Sequence, residues 1–99
     1  STSARVHVDG VIQEQKLVRK VYGVYPLAAE TANITGTVVF RVVVAKDGTV
    51  ESVEYLSGPS VLVESAESSV KEYRYSPTLI GKTPVEVETT VGVPFVLPQ

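Results

Sequence analysis

A strict alternation of residue type runs through the last part of the chain, over residues 85–97. The odd-numbered positions of this segment carry nearly all of its apolar side chains: Val85, Val87, Thr89, Val91, Val93, Phe95 and Leu97. Successive side chains of a β-strand point to opposite faces, so the pattern predicts one long strand with a single buried face. Such a strand needs a neighbouring strand and a covering layer, which limits the folds that the rest of the chain can adopt.

A β-hairpin is predicted for residues 37–56. Val38, Phe40 and Val42 fall on one face of the first strand, over residues 37–45. The dipeptide Asp47-Gly48 follows, and it is typical of a tight turn because glycine adopts positive φ angles without steric cost. Residues 50–56 are predicted to return as the second strand, with a positive φ at Gly48.

Two helices are predicted on either side of this hairpin. Pro26 can open a short helix over residues 27–33, because its missing N–H is not needed at the first helical position. Ser60 is a candidate N-cap for the second helix, which must end before Pro77. The second helix has apolar residues at helical spacing: Leu62, Ala66, Val70 and Tyr73.

The first twenty residues are less regular. Residues 5–8 alternate between polar and apolar and predict a strand, and Asp9-Gly10 marks a turn. Residues 11–22 are compatible with a helix, and residues 16–21 within them are equally compatible with a short strand. We therefore divide the chain into an N-terminal extension, residues 1–20, and a domain, residues 21–99.

These elements predict an α+β fold. A small antiparallel sheet of about three strands, with a further N-terminal strand as an open addition, carries two helices packed on one face. The second helix returns the chain beside the first hairpin strand, so that the long last strand lies at a sheet edge. The predicted core consists of Val38, Phe40, Val42, Leu62, Ala66, Val70, Val91, Val93 and Phe95.

Composition excludes several classes of function. The net charge is −2 and no basic run exceeds two residues, so the clustered positive charge that nucleic acid binding requires is missing. The chain has no cysteine and a single histidine, His7, so we expect neither a metal site nor a cofactor. The longest apolar stretch, residues 38–45, contains Arg41 and is far shorter than the ~20 residues of a membrane helix.

A set of short motifs, in order and at regular spacing, resembles the TonB C-terminal domain family over about residues 21–97. The motifs are Tyr25-Pro26, Gly36-Thr37-Val38-Val39, Asp47-Gly48-Thr49-Val50, Ser57-Gly58, Tyr73-Arg74-Tyr75-Ser76-Pro77, Gly81 with Pro84, and the alternating end at Val91, Val93, Phe95 and Leu97. One departure is Tyr73, where the family usually has tryptophan. The two aromatic rings can pack similarly.

The resemblance implies a non-catalytic periplasmic domain of a protein anchored in the inner membrane. It implies capture of the TonB box, a short extended segment of outer-membrane transporters, by strand addition to the C-terminal strand. An inner-membrane proton-channel complex would drive the process through the N-terminal part of the full-length protein, and the anchor lies outside this sequence. The expected partner-binding residues, where we predict an antiparallel added strand, are Val85, Glu86, Val87, Glu88, Thr89, Thr90 and Val91.

The physical argument for this edge does not depend on the family. Edge strands present unpaired N–H and C=O groups that can accept another strand, and this one is long. Glu86 and Glu88 are best interpreted as a solvated edge that discourages aggregation, because neither has a nucleophile beside it in sequence. His7 is expected to be an exposed strand residue.

Two other interpretations remain open at this stage. The chain can be a structural or oligomerisation domain, whose edge pairs with a second copy in a homodimer or with its own N-terminal segment. It can also be an enzyme similar to acylphosphatases, since residues 5–13 faintly resemble their phosphate loop. Glu14, directly after that segment, is unfavourable for an anion site.

Overall fold

The computed structural model describes residues 5–97, so the outer ends of the two predicted segments, residues 1–4 and 98–99, lie outside it. The strands are β1 (Arg5–His7), β2 (Leu17–Arg19), β3 (Gly36–Val44), β4 (Val50–Ser57), β5 (Arg74–Tyr75), β6 (Thr78–Ile80) and β7 (Thr83–Phe95). The helices are α1 (Gly10–Glu14), α2 (Leu27–Thr31) and α3 (Val63–Lys71), and a 3₁₀ turn over Ser60–Leu62 precedes α3.

The antiparallel part of the main sheet is the predicted one. β3 pairs with β4 in the expected hairpin, and β7 pairs with β3 in continuous register from Gly36 opposite Phe95 to Val44 opposite Val87. The alternation of apolar residues in β3 and β7 places both sets of side chains on one face, and that face is buried. The prediction that the last strand returns beside the first hairpin strand is confirmed.

The predicted edge position of the last strand is wrong over part of its length. β1 pairs with β7 in parallel, with Arg5 opposite Glu86 and His7 opposite Glu88, so the sheet order is β1-β7-β3-β4. The number of strands is also larger than expected. The four additional strands have only two or three residues each. The alternation over residues 5–8 predicts β1, and β2 lies within the segment left open between helix and strand, but β5 and β6 are too short for a periodic pattern to identify.

The N-terminal extension combines the two structures that the sequence left open. Asp9 caps α1 rather than forming a turn, because its side chain accepts a hydrogen bond from the Val11 N–H at 2.9 Å. β2 follows α1 and pairs antiparallel with β5 in a separate two-stranded sheet. The extension is therefore tied to the rest of the chain at two places, β1 on β7 and β2 on β5.

α2 begins where the sequence predicts, whereas α3 begins later than predicted. Pro26 caps α2, and Asn33 ends this segment with a φ of 55°, as expected of an asparagine in the left-handed region. Ser60 does not cap α3, because it begins the 3₁₀ turn, and the α-helix starts three residues later. The extra turn places Leu62 in the core before the helix proper begins.

The core lies between the helices and the sheet face that carries Phe40. Eight of the nine predicted core residues are buried, and the ninth, Val91, is partly buried against them. Tyr25 packs edge-on against Phe95 with ring centroids 5.3 Å apart. The hydroxyls of Ser65 and Ser69 in α3 donate hydrogen bonds to the carbonyls of Val24 and Val21, which holds the segment before α2 against α3.

Candidate functional site

The outer side of β7 carries backbone groups that the antiparallel sheet does not use. The Val8 N–H donates to the Glu88 carbonyl at 2.9 Å, which shows that Glu88 faces away from β3. The N–H and C=O of one strand residue point to the same side, and the sides alternate along the strand. The same outward direction therefore applies to Glu86, Thr90 and Gly92.

The prolines of β7 agree with this alternation. Pro94 lies opposite Thr37 of β3 and Pro84 lies opposite Leu79 of β6, and both are even-numbered, so each lacks its N–H on the outward side. Their parity is the signal by which the sequence alone identifies the outward groups. The row of outward groups thus runs along β7 at every second residue, and only the two prolines lack an N–H donor in it.

β1 covers part of this outer side. In addition to the Val8 hydrogen bond, the Arg5 guanidinium lies 3.4 Å from the Glu86 carboxylate. Beyond β1, the first residue of α1 lies against β7, because a Cβ on Gly10 would be 2.5 Å from the Thr90 carbonyl oxygen. The N-terminal extension therefore occupies the outer side of β7 from Glu86 to Thr90.

The glutamates of β7 are less solvated than the sequence analysis expected. The Glu86 side chain is 14% exposed, beneath Arg5. On the same face of the sheet, Arg41 of β3 lies between two carboxylates, with its guanidinium 3.1 Å from Glu54 and 3.6 Å from Glu88. The interpretation of Glu86 and Glu88 as a bare, solvated edge is wrong, since the added strand and Arg41 partly cover them.

A cleft of about 350 Å³ lies where α1, β2 and the end of α3 meet β7. Its apolar wall includes Leu17, Tyr73 and Val91, and Thr90 and Gly92 of β7 also line it.

The predicted site residues fall into two sets that alternate along β7. Val85, Val87 and Thr89 are buried in the sheet, whereas the backbone of Glu86, Glu88 and Thr90 faces outward. Gly92, which we did not predict, extends this outer side into the cleft.

The two tyrosines after α3, Tyr73 and Tyr75, are buried packing residues in the wall of this cleft. Tyr73 is 3% exposed and Tyr75 is 4% exposed. Burial raises the pKa of both hydroxyls, because removal from water disfavours the charged phenolate. For Tyr75 the pKa rises to about 12, with smaller contributions from Tyr73 and Glu14.

Tyr75 is therefore expected to make the domain sensitive to alkaline pH. Its pKa is about 12 in the folded chain, above the ordinary tyrosine value of 10.0. The stabilisation from this difference is present below pH 10 and is lost as the pH rises from 10 through 12, by roughly 3 kcal/mol. Tyr75→Phe removes the ionisable hydroxyl, so its stability is expected to fall less steeply over this interval.

Urea unfolding at pH 8, 10, 11 and 12 measures this slope. Tyr22→Phe is the matched control, because Tyr22 is 80% exposed. Its slope is expected to follow that of the unsubstituted chain. Equal slopes for Tyr75→Phe and Tyr22→Phe would show that the buried hydroxyl does not control the alkaline transition.

The phosphate loop on which the acylphosphatase interpretation depends does not form in this structure. Residues 5–13 form β1 and α1, and three of their amides are occupied: the Val8 N–H by Glu88, and the Val11 and Gln13 N–H groups by Asp9. An anion cradle needs such N–H groups to be free and convergent.

His7 is exposed, as expected. Within residues 5–97, no cluster of three or more potential metal-ligating side chains occurs, and no helix is long and apolar enough to cross a membrane.

Comparison with known proteins identifies the class of this small α+β domain. A family model described as the C-terminal domain of Gram-negative bacterial TonB protein matches residues 21–97. The chain belongs to this family. The family is a non-enzymatic, transport-associated domain, and membership implies a periplasmic domain. The expectation from the sequence motifs is confirmed at this level.

A solved structure shows the same fold. The solution NMR structure of the Pseudomonas aeruginosa TonB CTD superimposes with a TM-score of 0.72, covering 100% of this chain and 98% of that chain. The sequence identity is 17%, so this likeness concerns the fold. No curated protein matches the chain. β1 and α1 lie outside the residues that the family model matches.

Proposed function

We propose that this domain captures the TonB box of outer-membrane transporters by strand addition to the outer side of β7. In this role it transmits force that derives from the proton gradient, received from an inner-membrane complex through the N-terminal part of the full-length protein. Nutrient uptake is the outcome. Family membership supports the transport role, and the row of outward backbone groups on β7 supports the position.

The observation that carries the proposal is the pairing of β1 with β7. This pairing supports strand addition at the outer side of β7, because β1 is itself a strand on that side, with the Val8 N–H bonded to the Glu88 carbonyl at 2.9 Å. Strand addition draws affinity from main-chain hydrogen bonds, so it does not require a particular side chain on β7. The partner strand is expected over residues 85–91, as the sequence analysis predicted, and its direction is to be measured.

Proline substitution tests the main-chain contact. Glu88→Pro removes an outward N–H that β3 does not use, so we expect it to abolish binding of a transporter N-terminal peptide while the fold persists. Glu88→Ala removes only the side chain and is expected to weaken binding less than about fivefold, as fits a contact made by the backbone. The affinity of the unsubstituted domain is expected to be around micromolar, because the peptide must become ordered on binding.

Amide-shift mapping of the labelled domain with this peptide decides the location. The largest shifts are expected on residues 85–91, and circular dichroism melts establish that Glu88→Pro remains folded. Equal binding by Glu88→Pro and the unsubstituted domain would contradict strand addition here, as would shifts confined to β4 or α3. A spin label at one end of the peptide gives the direction of the added strand, for which we predict antiparallel.

Sedimentation equilibrium separates this function from pairing between two copies of the chain. In the described residues β4 pairs only with β3, so its other side is also available to a strand. Glu51 and Glu54 and two irregularities in the β3–β4 register oppose such pairing. We expect a monomer with or without the transporter peptide, and a peptide-independent dimer would favour the structural alternative.

A further inference from the structure

We propose that the β1–α1 segment, Arg5–Glu14, is an internal competitor that occupies the partner site and must leave β7 when a partner strand binds. This inference rests on the proposed function, because it concerns the same edge. It adds a regulatory step: the affinity for a partner depends on how firmly the chain's own N-terminal segment is docked.

The β1–α1 segment and a partner strand need the same atoms of β7. The outward carbonyl of Glu88 accepts the Val8 N–H, and the outward carbonyl of Thr90 lies against Gly10. A partner strand along residues 85–91 needs those two carbonyls and the outward groups of Glu86. One side of a strand pairs with one neighbour at a time, so the two occupants exclude each other.

Within the docked segment, α1 fits its position poorly, although Val8 before it packs against the core. α1 exposes its two large apolar residues, Val11 at 71% and Ile12 at 56%, and buries Gln13 at 1% exposure. Neither amide atom of the Gln13 side chain has a hydrogen-bond partner among the described residues. A buried amide without partners opposes docking, and exposed apolar residues contribute little to it.

The β1–α1 segment can leave β7 without disturbing the fold of the family domain. β1 and α1 precede the residues that the family model matches, and β7 remains paired with β3 along its inner side. β1 is three residues long, and its ion pair, Arg5 with Glu86, has Arg5 45% exposed to solvent. Solvent-exposed pairs of this kind hold a segment only weakly.

Two substitutions in the segment test the competition in opposite directions without changing β7. Gly10→Ala places a methyl group 2.5 Å from the Thr90 carbonyl oxygen, which pushes the segment away from β7. Gln13→Met replaces the unpaired amide by an apolar side chain of similar length, which favours docking. Val11→Ala, at an exposed position of the same helix, is the control.

Hydrogen exchange of the Val8 amide reports docking, with the Val91 amide in the β3–β7 ladder as the internal reference. We expect Val8 exchange to accelerate in Gly10→Ala and to slow in Gln13→Met, with Val91 unchanged. Titration with the transporter N-terminal peptide is expected to give about tenfold tighter binding for Gly10→Ala and several-fold weaker binding for Gln13→Met, because the competent fraction sets the apparent affinity. Val11→Ala is expected to bind like the unsubstituted domain.

The outcomes separate this inference from the proposed function. If the peptide binds all four proteins equally while Val8 exchange differs, the segment does not compete and the inference is wrong, whereas the proposed function stands. If the peptide binds none of them, including Gly10→Ala, the proposed function fails and the inference fails with it. Unchanged Val8 exchange in both variants would overturn the docking contacts on which the inference rests.

Discussion

Phe40→Ala is expected to destabilise the domain by ~3–5 kcal/mol, the usual cost of removing a fully buried phenylalanine. Phe40 is 0% exposed and lies in the middle of β3, opposite Tyr55 of β4 and Val91 of β7. The loss combines the transfer of apolar surface with the cavity left between the sheet and α3. Since a domain of this size has a total stability of about 5–15 kcal/mol, much of the population should unfold in mild denaturant.

Urea unfolding followed by circular dichroism measures this loss, read from the midpoint at constant slope. Arg41→Ala is the matched control on the next residue of the same strand. Arg41 is 48% exposed in its ion pairs with Glu54 and Glu88, and pairs that remain open to water contribute little, so the control should lose less than ~1 kcal/mol. A loss below ~1 kcal/mol for Phe40→Ala would mean that the buried face of β3 is assigned to the wrong side.

Gly48→Ala is expected to be nearly as damaging, by about 3 kcal/mol, although Gly48 lies in a turn. Its φ is 92°, in the region that favours glycine, as the sequence predicted. The structure adds a second constraint, because a Cβ at this position would overlap the carbonyl oxygen of Tyr75. The hydrogen bond from the Tyr75 N–H to the Gly48 carbonyl, 2.9 Å long, would then be lost.

Gly81→Ala separates the two constraints. Gly81 also lies in a hairpin turn with positive φ, 63°, but a Cβ there would meet no atom within 4 Å. Its substitution should therefore cost only the backbone strain, roughly 1–2 kcal/mol. Thermal melts of the two variants compare the costs directly. Equal losses would show that turn conformation accounts for the whole effect and that the Gly48–Tyr75 contact adds nothing.

These glycines illustrate which features of the fold are local. The turn at Asp47-Gly48 and the alternation in β3 and β7 were predicted correctly, because a tight turn and a buried strand each depend on neighbours in sequence. The contact between Gly48 and Tyr75 joins residues far apart in the chain. No pattern in the sequence indicates it, and it appears only when β5 is placed beside the hairpin.

The candidate site was predictable in the same partial way. Residues 85–91 were recognised as a long strand with one buried face, and the parity of Pro84 and Pro94 identifies its outward groups. The sequence left the occupant of that edge open between a partner strand, a second copy and the chain's own N-terminal segment. The alternation over residues 5–8 predicts a strand, but nothing in the sequence indicates that it pairs in parallel with a strand some eighty residues later.

The sequence by itself thus determined the family, the hairpin, the core helix positions and the long last strand, since each depends on local spacing and burial. Tertiary structure decided how the N-terminal extension is used. It placed β1 on the outer side of β7, Gly10 against Thr90, and Gln13 in a buried position without a partner. Long-range strand pairing depends on which edges remain open after the rest of the chain has packed, and that property belongs to the folded molecule as a whole.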